Sequence, residues 1–187
     1  MFARVGYIWL LLSILLISSA FGSSFVSEWR TTSDGESITL PLESGGSYNF
    51  TVDWGDGTIQ NVTSWNGGNE THTYATAGTY IVNITGEISG FRFNNGGDKD
   101  KIYDISEWGP LNLGNNSAYF YGATNLNVTA TDALNLSGTT DLSWAFARAS
   151  IFNGNISGWN VSNVADMYYM FDGATSFNQD LDDWNVS

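Results

Sequence analysis

A repeat of about 25 residues constrains the fold more than any other feature of this sequence. Its equivalent positions form four series, which are Phe120/Phe146/Phe171, Ala123/Ala149/Ala174, Asn127/Asn153/Asn178 and Asn112/Asn135/Asn160/Asn185. One unit of this length cannot bury its apolar face alone, so equivalent residues must lie over one another in successive units. The C-terminal half is therefore predicted to be a solenoid. Its recurring asparagines are expected to link their amides from unit to unit.

Each repeat is predicted to supply one short strand and one short helix. Apolar residues alternate in WNVSNV, residues 159–164, as in a strand. Helical spacing, at i, i+3, i+4 and i+7, is shared by the sets Leu142/Ala145/Phe146/Ala149 and Met167/Met170/Phe171/Ala174. The first unit has Asn116 where the leading apolar residue is expected, which is typical of a capping repeat.

The region before the repeats has a period of two. Apolar residues alternate over residues 38–42, 48–54 and 80–84, and glycine-containing turns separate these runs. Aromatic residues make up 15% of the chain and charged residues only 13%, which favours a β-rich fold over a helical bundle. We therefore predict a mainly β protein with short helices, in which a β-sandwich precedes the solenoid.

Two motifs in the first half carry a resemblance. VDWGDGT (Val52 to Thr58) and HTYATAGTYIVNITG (His72 to Gly86) resemble the PKD-type immunoglobulin-like domain. The resemblance implies an extracellular spacer or adhesive module in which these residues are structural.

The repeats resemble a second family. MYYMFDGATSFNQDLDDWNVS (Met167 to Ser187) is similar to the BspA-like leucine-rich-repeat surface proteins, and residues 92–116 and 123–146 resemble their entry region. The resemblance implies a secreted or surface-displayed protein, in some members an adhesin for extracellular proteins, and it offers no catalytic residues. Because the sequence stops before the helix of a repeat, we expect an incomplete array that lacks further repeats and any C-terminal surface anchor.

The first residues are typical of a secretory signal peptide. Arg4 precedes an apolar run over residues 7–17, and small residues follow. An uncleaved membrane anchor is the alternative, but the run is shorter than the ~20 residues that span a bilayer. The predicted organisation is a signal peptide (1–22), a leader segment (23–35), a PKD-like sandwich (36–97) and the repeat solenoid (98–187).

Charge and residue types limit the function. The net charge of −13 argues against nucleic acid as a partner, because phosphate binding needs clustered Lys and Arg. The chain has no cysteine, so no disulfide supports the fold. His72 is the single histidine and lies within the PKD-like motif, where a structural role is favoured over catalysis. We expect no enzymatic activity and no cofactor.

Candidate metal ligands are sparse. Asp53 and Asp56 flank the Gly55 turn, and Asp98 and Asp100 follow a glycine pair. These four carboxylates are weak candidates for Ca²⁺, which takes six or more oxygen ligands, and capping of turns is the favoured interpretation.

Glycans are a further possibility if the protein is exported. N-x-S/T sequons occur at Asn49, Asn61, Asn69, Asn83, Asn115, Asn127, Asn135, Asn155, Asn160 and Asn185. The same pattern also arises from the repeat and from the abundance of Asn, Ser and Thr, so glycosylation is left open.

The sequence thus favours recognition of extracellular proteins or glycans through the solenoid, with membrane contact only through the signal peptide or a missing anchor. A carbohydrate-binding module, or a non-catalytic part of a larger secreted enzyme, is the alternative. Among the tryptophans, Trp29, Trp65 and Trp108 are the candidates for exposure and hence for stacking on sugars.

Overall fold

The structure, a computed structural model, describes residues 23–186. The predicted signal peptide, residues 1–22, therefore lies outside the described residues. The strands of the described part are β1 (Phe25–Thr31), β2 (Ser37–Thr39), β3 (Leu42–Asp53), β4 (Ile59–Val62), β5 (Thr71–Thr73), β6 (Gly78–Phe91), β7 (Ile102–Glu107), β8 (Leu111–Asn112) and β9 (Asn127–Val128). Residues 23–186 contain no α-helix, so the protein is mainly β but without the short helices that the sequence predicts.

A seven-stranded mixed sheet forms the centre of the molecule. Its strand order is β4-β3-β6-β1-β7-β9, with β8 pairing in parallel to β6, while β2 and β5 form a separate antiparallel pair. β7 and β9 also pair in parallel, and the remaining ladders are antiparallel. Strands on both sides of position 97 thus share one sheet and one hydrophobic core.

The segment interpreted as a leader, residues 23–35, contains the central strand of this sheet. β1 lies between β6 and β7, and Phe25 and Trp29 are fully buried. Its inward positions also include Ser27, whose Oγ accepts a hydrogen bond of 2.8 Å from the Trp29 indole nitrogen. A polar residue at an inward position interrupts the apolar alternation that marks a strand in the sequence. In the fold, the hydrogen bond from Trp29 offsets the cost of burying the Ser27 hydroxyl.

Glu36 joins the segment that follows β1 to the residue that precedes β7. Its carboxylate accepts hydrogen bonds from the Thr32 backbone N–H at 2.6 Å and from Lys101 Nζ at 2.9 Å. The Thr32 bond and then the Lys101 ammonium, against a smaller opposing effect of burial, lower the pKa of Glu36 from 4.5 to about 2. Lys101 Nζ also lies 2.9 Å from Asp98 Oδ1, so the Lys101 ammonium forms ion pairs with two carboxylates.

We expect Glu36→Gln to weaken the pH dependence of stability. A carboxyl whose pKa falls on folding stabilises the native state above its unfolded pKa, and that contribution is lost as pH falls from about 4.5 through about 2. The variant should lose on the order of 1 kcal/mol at pH 7, because solvent screens the pair, and should show a shallower fall of stability in this window. Urea unfolding between pH 7 and pH 2 measures this. Asp183→Asn, at an exposed position, is the control, and equal slopes for the wild type and Glu36→Gln would contradict the assignment.

The repeats form a stack of short backbone segments, which we call rungs 1 to 4 and which comprise residues 93–95, 118–122, 144–148 and 169–173. Each rung donates backbone hydrogen bonds to the next one. Rung 2 donates from Phe120 N to Ala145 O at 2.8 Å, and rung 3 donates from Phe146 N to Met170 O at 2.8 Å. Equivalent bonds join rung 1 to rung 2, from Phe93 N to Tyr119 O at 2.8 Å.

Phenylalanine rings stack along the axis of the rungs. The ring centroids of Phe120 and Phe146 are 5.3 Å apart with planes 10° from parallel, and those of Phe146 and Phe171 are 6.0 Å apart at 5°. The column predicted from the repeat is therefore present. Phe93 occupies the equivalent position of rung 1. Its ring centroid lies 6.4 Å from that of Phe120, and the two ring planes are tilted relative to each other. The repeat pattern in the sequence does not include Phe93 among the column residues.

Left-handed backbone conformations replace the expected helices. Positive φ recurs at two equivalent positions of the rungs. The first position is occupied by Ala118, Trp144 and Tyr169, and the second by Asn95, Gly122, Arg148 and Gly173. A right-handed helix cannot contain such residues. Tight turns close instead through bonds between residues three apart, such as Ala149 N to Phe146 O at 3.0 Å. These four-residue turns bury the same apolar positions that a helical spacing predicts, which explains the error.

Asparagine side chains also connect the repeats. Asn127 Oδ1 accepts from Asn153 N at 3.3 Å, and Asn153 Oδ1 accepts from Asn178 N at 2.9 Å, as the ladder hypothesis expects. In the other series Asn160 Oδ1 accepts from Ser162 N within its own turn, at 3.2 Å. The asparagines thus serve both as links between units and as caps of local turns.

Candidate functional site

Asp53 and Asp56 cap the turn between β3 and β4. Asp53 Oδ1 accepts from Gly55 N and Asp56 Oδ1 from Thr58 N, each at 2.9 Å. The other oxygen of Asp56 lies 2.7 Å from His72 Nε2. Partial burial opposes ionisation of Asp56, but the hydrogen bonds from His72 and Thr58 outweigh it and lower its pKa.

Asp98 and Asp100 lie at a different part of the surface and also have protein partners. Asp98 accepts from Thr39 N at 2.7 Å, and Asp100 accepts from Thr124 Oγ1 at 3.0 Å and pairs with Lys99 at 2.6 Å. Among the described residues, no group of three or more His, Asp or Glu side chains is arranged to hold a metal ion. Calcium binding at the four aspartates stays a prediction.

His72 is enclosed by aromatic rings. It stacks on Trp54, with centroids 5.3 Å apart, and meets Tyr74 edge-on at 4.6 Å. The Tyr74 hydroxyl donates to Trp54 O at 2.9 Å, and burial raises the pKa of this hydroxyl. These contacts tie His72 into the packing around the turn.

Two of the three tryptophans expected to be exposed are buried. Trp29 faces the core from β1, and Trp108 packs edge-on against Trp159 with centroids 5.5 Å apart, so both of these predictions are wrong. Trp65 is 44% exposed, as predicted.

Exposed aromatic rings instead follow the outside of rungs 2 to 4. We call Tyr121, Trp144, Tyr168 and Tyr169 the aromatic stripe. The Trp144 ring lies 5.6 Å from Tyr121 and 4.8 Å from Tyr169. Tyr168 and Tyr169 are 60% and 47% exposed, whereas Tyr121 and Trp144 are half-buried. The stripe is therefore a continuous aromatic surface that crosses three rungs.

The local backbone produces this surface. Trp144 and Tyr169 occupy the same left-handed position of consecutive rungs, with φ of 58° and 53°, while Phe146 and Phe171, two residues later, belong to the inner column. Rings therefore line both the inside and the outside of the rungs. The repeat contains the signal for this surface, because Trp144 and Tyr169 each stand two residues before a column phenylalanine.

A groove of about 350 Å³ lies between residues 128–133 and 155–159. Gly154 allows this close approach, since a Cβ there would lie 2.5 Å from the Cβ of Val128. The polar groups at its lining come from Thr129, Thr131, Asp132, Asn155 and Ser157. The Asp132 carboxylate caps the backbone by accepting from Gly109 N at 2.8 Å. Trp159 also lines the groove, and its buried indole N–H donates to no group in the described part of the chain.

The sequon asparagines differ in accessibility. Asn83 and Asn127 are half-buried, and the remaining eight are exposed. Asn115 uses its side-chain oxygen to accept from Thr140 N at 2.7 Å. Glycosylation of these residues stays a prediction.

Two further observations describe the chain as a whole. Within residues 23–186, no helix has the length and apolar character needed to cross a bilayer. No curated protein and no solved structure matches the sequence with statistical significance.

One family model does match. Its description is Mycoplasma protein of unknown function, DUF285, and the match covers residues 91–187, just over half of the chain. It begins two residues before Phe93, the phenylalanine of rung 1, so the family pattern coincides with the stacked rungs. The chain therefore belongs to the family described as Mycoplasma protein of unknown function, DUF285.

Proposed function

We propose that this chain is a non-catalytic recognition protein, secreted or displayed at the cell surface, that binds an extracellular protein through the aromatic stripe. In this proposal the N-terminal strands are a PKD-like sandwich that supports the site. The rungs are the start of a solenoid of the BspA-like leucine-rich-repeat type, whose stacking holds the stripe in place.

The observation that carries the proposal is the exposure of aromatic rings on a rigid backbone. Tyr and Trp are enriched at the centres of protein interfaces, because they bury a large area for little loss of side-chain freedom. Backbone hydrogen bonds and the stacked phenylalanine rings hold the rungs that carry Trp144 and Tyr169. These two side chains therefore lose little conformational freedom on binding.

The charge around the stripe favours a basic partner. Asp166 and Asp172 are exposed on the segment that carries Tyr168 and Tyr169, and the net charge of the chain is −13. The exposed Arg148, 5.7 Å from the centre of the Tyr121 ring, is a cation beside the stripe and offsets one of these two carboxylates. Opposite charges at the rim of an interface increase the association rate and select against acidic partners.

We expect Tyr168→Ala to weaken binding to such a partner by about tenfold or more, since truncated aromatic residues at interface centres cost over 1 kcal/mol. Biolayer interferometry against a panel of purified extracellular matrix proteins measures this. Trp65→Ala is the matched control, because Trp65 is also exposed but lies between β4 and β5, away from the rungs. A binder that tolerates Tyr168→Ala but not Trp65→Ala would contradict the proposal, as would the absence of any binder in the panel.

Glycan binding is the second candidate function, and the groove favours it. Hydroxyl and amide groups around the edge of Trp159 are the groups that position a sugar. A glycan-array signal that Asn155→Ala removes and Tyr168→Ala leaves intact would favour this candidate over protein binding.

A further inference from the structure

Two tryptophans at equivalent positions of the repeat differ in their hydrogen bonds. Leu134, Trp159 and Trp184 each directly precede an asparagine of the repeat, in the segments after rungs 2, 3 and 4. The indole N–H of Trp184 donates to the backbone oxygen of Ile156, in the segment after rung 3, at 3.1 Å. The same oxygen accepts the backbone N–H of Trp159, also at 3.1 Å. One carbonyl therefore closes a turn and binds the tryptophan that follows the next rung.

A longer loop after rung 2 leaves Trp159 without the equivalent bond. Two residues separate Ile156 from Trp159. The corresponding residues after rung 2 are Ala130 and Leu134, and three residues, 131–133, separate them. In the described part of the chain, the Ala130 carbonyl accepts neither the backbone N–H of Leu134 nor the indole N–H of Trp159. By equivalence with the next tryptophan, this indole N–H points toward the segment after rung 2, where it has no partner.

Asp132 draws the longer loop toward the residues that follow β7. Its carboxylate accepts the backbone N–H groups of Trp108, at 3.0 Å, and Gly109, at 2.8 Å. The groove of about 350 Å³ opens on the other side of the loop, toward residues 155–159. The segment after rung 4 already packs against these residues through the bond from Trp184. The shape of the groove is therefore set inside the stack.

The polar groups that remain free at the groove are mostly donors. Asn155 Oδ1 already accepts from Ser157 N at 3.0 Å and from Ser157 Oγ at 2.8 Å, and Asp132 caps the backbone. The indole N–H of Trp159, the amide NH₂ of Asn155 and the hydroxyl of Thr131 donate to no group within residues 23–186. An occupant must therefore supply acceptors. The Asp132 carboxylate disfavours an anionic occupant by repulsion.

We propose that the groove binds a neutral N-acetylated sugar, whose acetamide carbonyl takes the place of the missing backbone carbonyl and accepts from Trp159 Nε1. The acetamide methyl group packs against the buried Val128 and Ala130. The acetamide N–H donates to Ser157 Oγ, which retains lone pairs. The volume is near the lower end of small-molecule sites, so it fits one sugar ring. This inference rests on the glycan-binding candidate above and specifies the class of sugar.

The buried indole N–H explains why the acetamide is selected. An unpaired buried donor costs about 1–3 kcal/mol, and a sugar without a carbonyl at this point leaves that cost in place. Because the indole nitrogen is buried, loop 131–133 must shift slightly to admit the carbonyl. The loop is exposed and forms no backbone hydrogen bond in the part of the chain that the structure describes, so a small shift disrupts no ladder.

The test is an NMR titration of the full chain with N-acetylglucosamine. The indole N–H signal of Trp159, assigned by its loss in Trp159→Phe, should shift in a saturable manner. Glucose, which has the same ring without the acetamide, should bind about tenfold more weakly. N-acetylneuraminic acid, which has an acetamide and a carboxylate, should also bind more weakly than N-acetylglucosamine because of Asp132.

Two changes in the protein locate the bond. Trp159→Phe should weaken sugar binding about tenfold, because it keeps an aromatic ring and removes the donor. Trp184→Phe is the matched control, since the indole N–H of Trp184 already has a backbone acceptor, and it should leave sugar binding unchanged. Deletion of Ala133 restores the two-residue spacing. It should abolish sugar binding and protect the Trp159 indole N–H from hydrogen exchange without any sugar.

The outcomes separate this inference from the proposals on which it depends. Equal binding of glucose and N-acetylglucosamine would overturn the acetamide assignment alone, as would a glycan-array signal from another class of sugar that Asn155→Ala removes. No saturable shift at ~10 mM of any of the three sugars, or sugar binding that survives both Trp159→Phe and deletion of Ala133, would overturn the site itself. Tyr168→Ala should leave sugar binding unchanged, so the protein ligand of the aromatic stripe is tested independently.

Discussion

Phe146→Ala should lower the free energy of unfolding by about 3–5 kcal/mol, the usual cost of truncating a buried phenylalanine. Phe146 is fully buried at the centre of the column, with ring centroids 3.9 Å from Phe152 and 5.3 Å from Phe120. The rungs above and below are fixed by backbone bonds, so the cavity cannot collapse easily. Urea denaturation followed by circular dichroism measures the loss.

The matched control for this substitution is Phe177→Ala. Phe177 belongs to the same set of parallel rings but is half-buried at the outer end, beside Phe171. It should therefore cost clearly less than Phe146→Ala. Equal costs for the two variants would show that the column does not stabilise the stack from its centre.

Gly86→Ala should destabilise the protein by about 3 kcal/mol or more. Gly86 lies in the ladder between β3 and β6 with φ of +119°, and an added Cβ would lie 2.5 Å from the backbone oxygen of Asn49. Strain from the positive φ and a clash with backbone that cannot move aside add together here. Thermal unfolding of the purified variant measures the effect.

Gly138→Ala separates these two causes. Gly138 also has a positive φ, +80°, but an added Cβ would meet no atom within 4 Å. Its expected cost is the strain alone, about 1 kcal/mol. If both variants lost the same stability, the clash with the Asn49 backbone at Gly86 would not contribute to the loss.

Periodicity identified the parts of the fold that depend on local sequence. Alternating residues around Phe50 and Val82 predicted strands of the sheet, and the recurrence of Phe120, Phe146 and Phe171 predicted the column. These signals succeed because burial imposes the same spacing on the sequence that the backbone imposes on the side chains.

The errors arise where tertiary context decides. Residues spaced by three and four indicate a helix, but positive φ at Trp144 and Arg148 and bonds to the neighbouring rung produce tight turns with the same buried positions. The central position of β1 depends on partners more than 50 residues away, such as Val82 opposite Ser27. No local pattern contains such pairing.

The candidate site was only partly accessible to sequence reasoning. A recognition surface on the repeats was expected, but its residues were not named. The rings of Trp144 and Tyr169 point outward because these residues have left-handed backbone conformations. Trp and Tyr do not usually adopt this conformation, so the residue types alone do not predict it. Burial of Trp29 and Trp108 likewise depends on neighbours distant in sequence.

The one-directional bonding of the rungs has a mechanical consequence. Each rung is joined to the next through a loop, so a force applied to the chain directly after rung 4 detaches rung 4 from rung 3 before it loads rung 2. Release of one unit of about 25 residues lengthens the chain by at most roughly 80–90 Å. The central sheet resists differently, because β1 pairs with β6 along its whole length and with β7 from Val26 to Trp29. Under such tension rungs 4 and 3 would be released stepwise, and β9, which lies between rungs 2 and 3, would leave the sheet before β1 does.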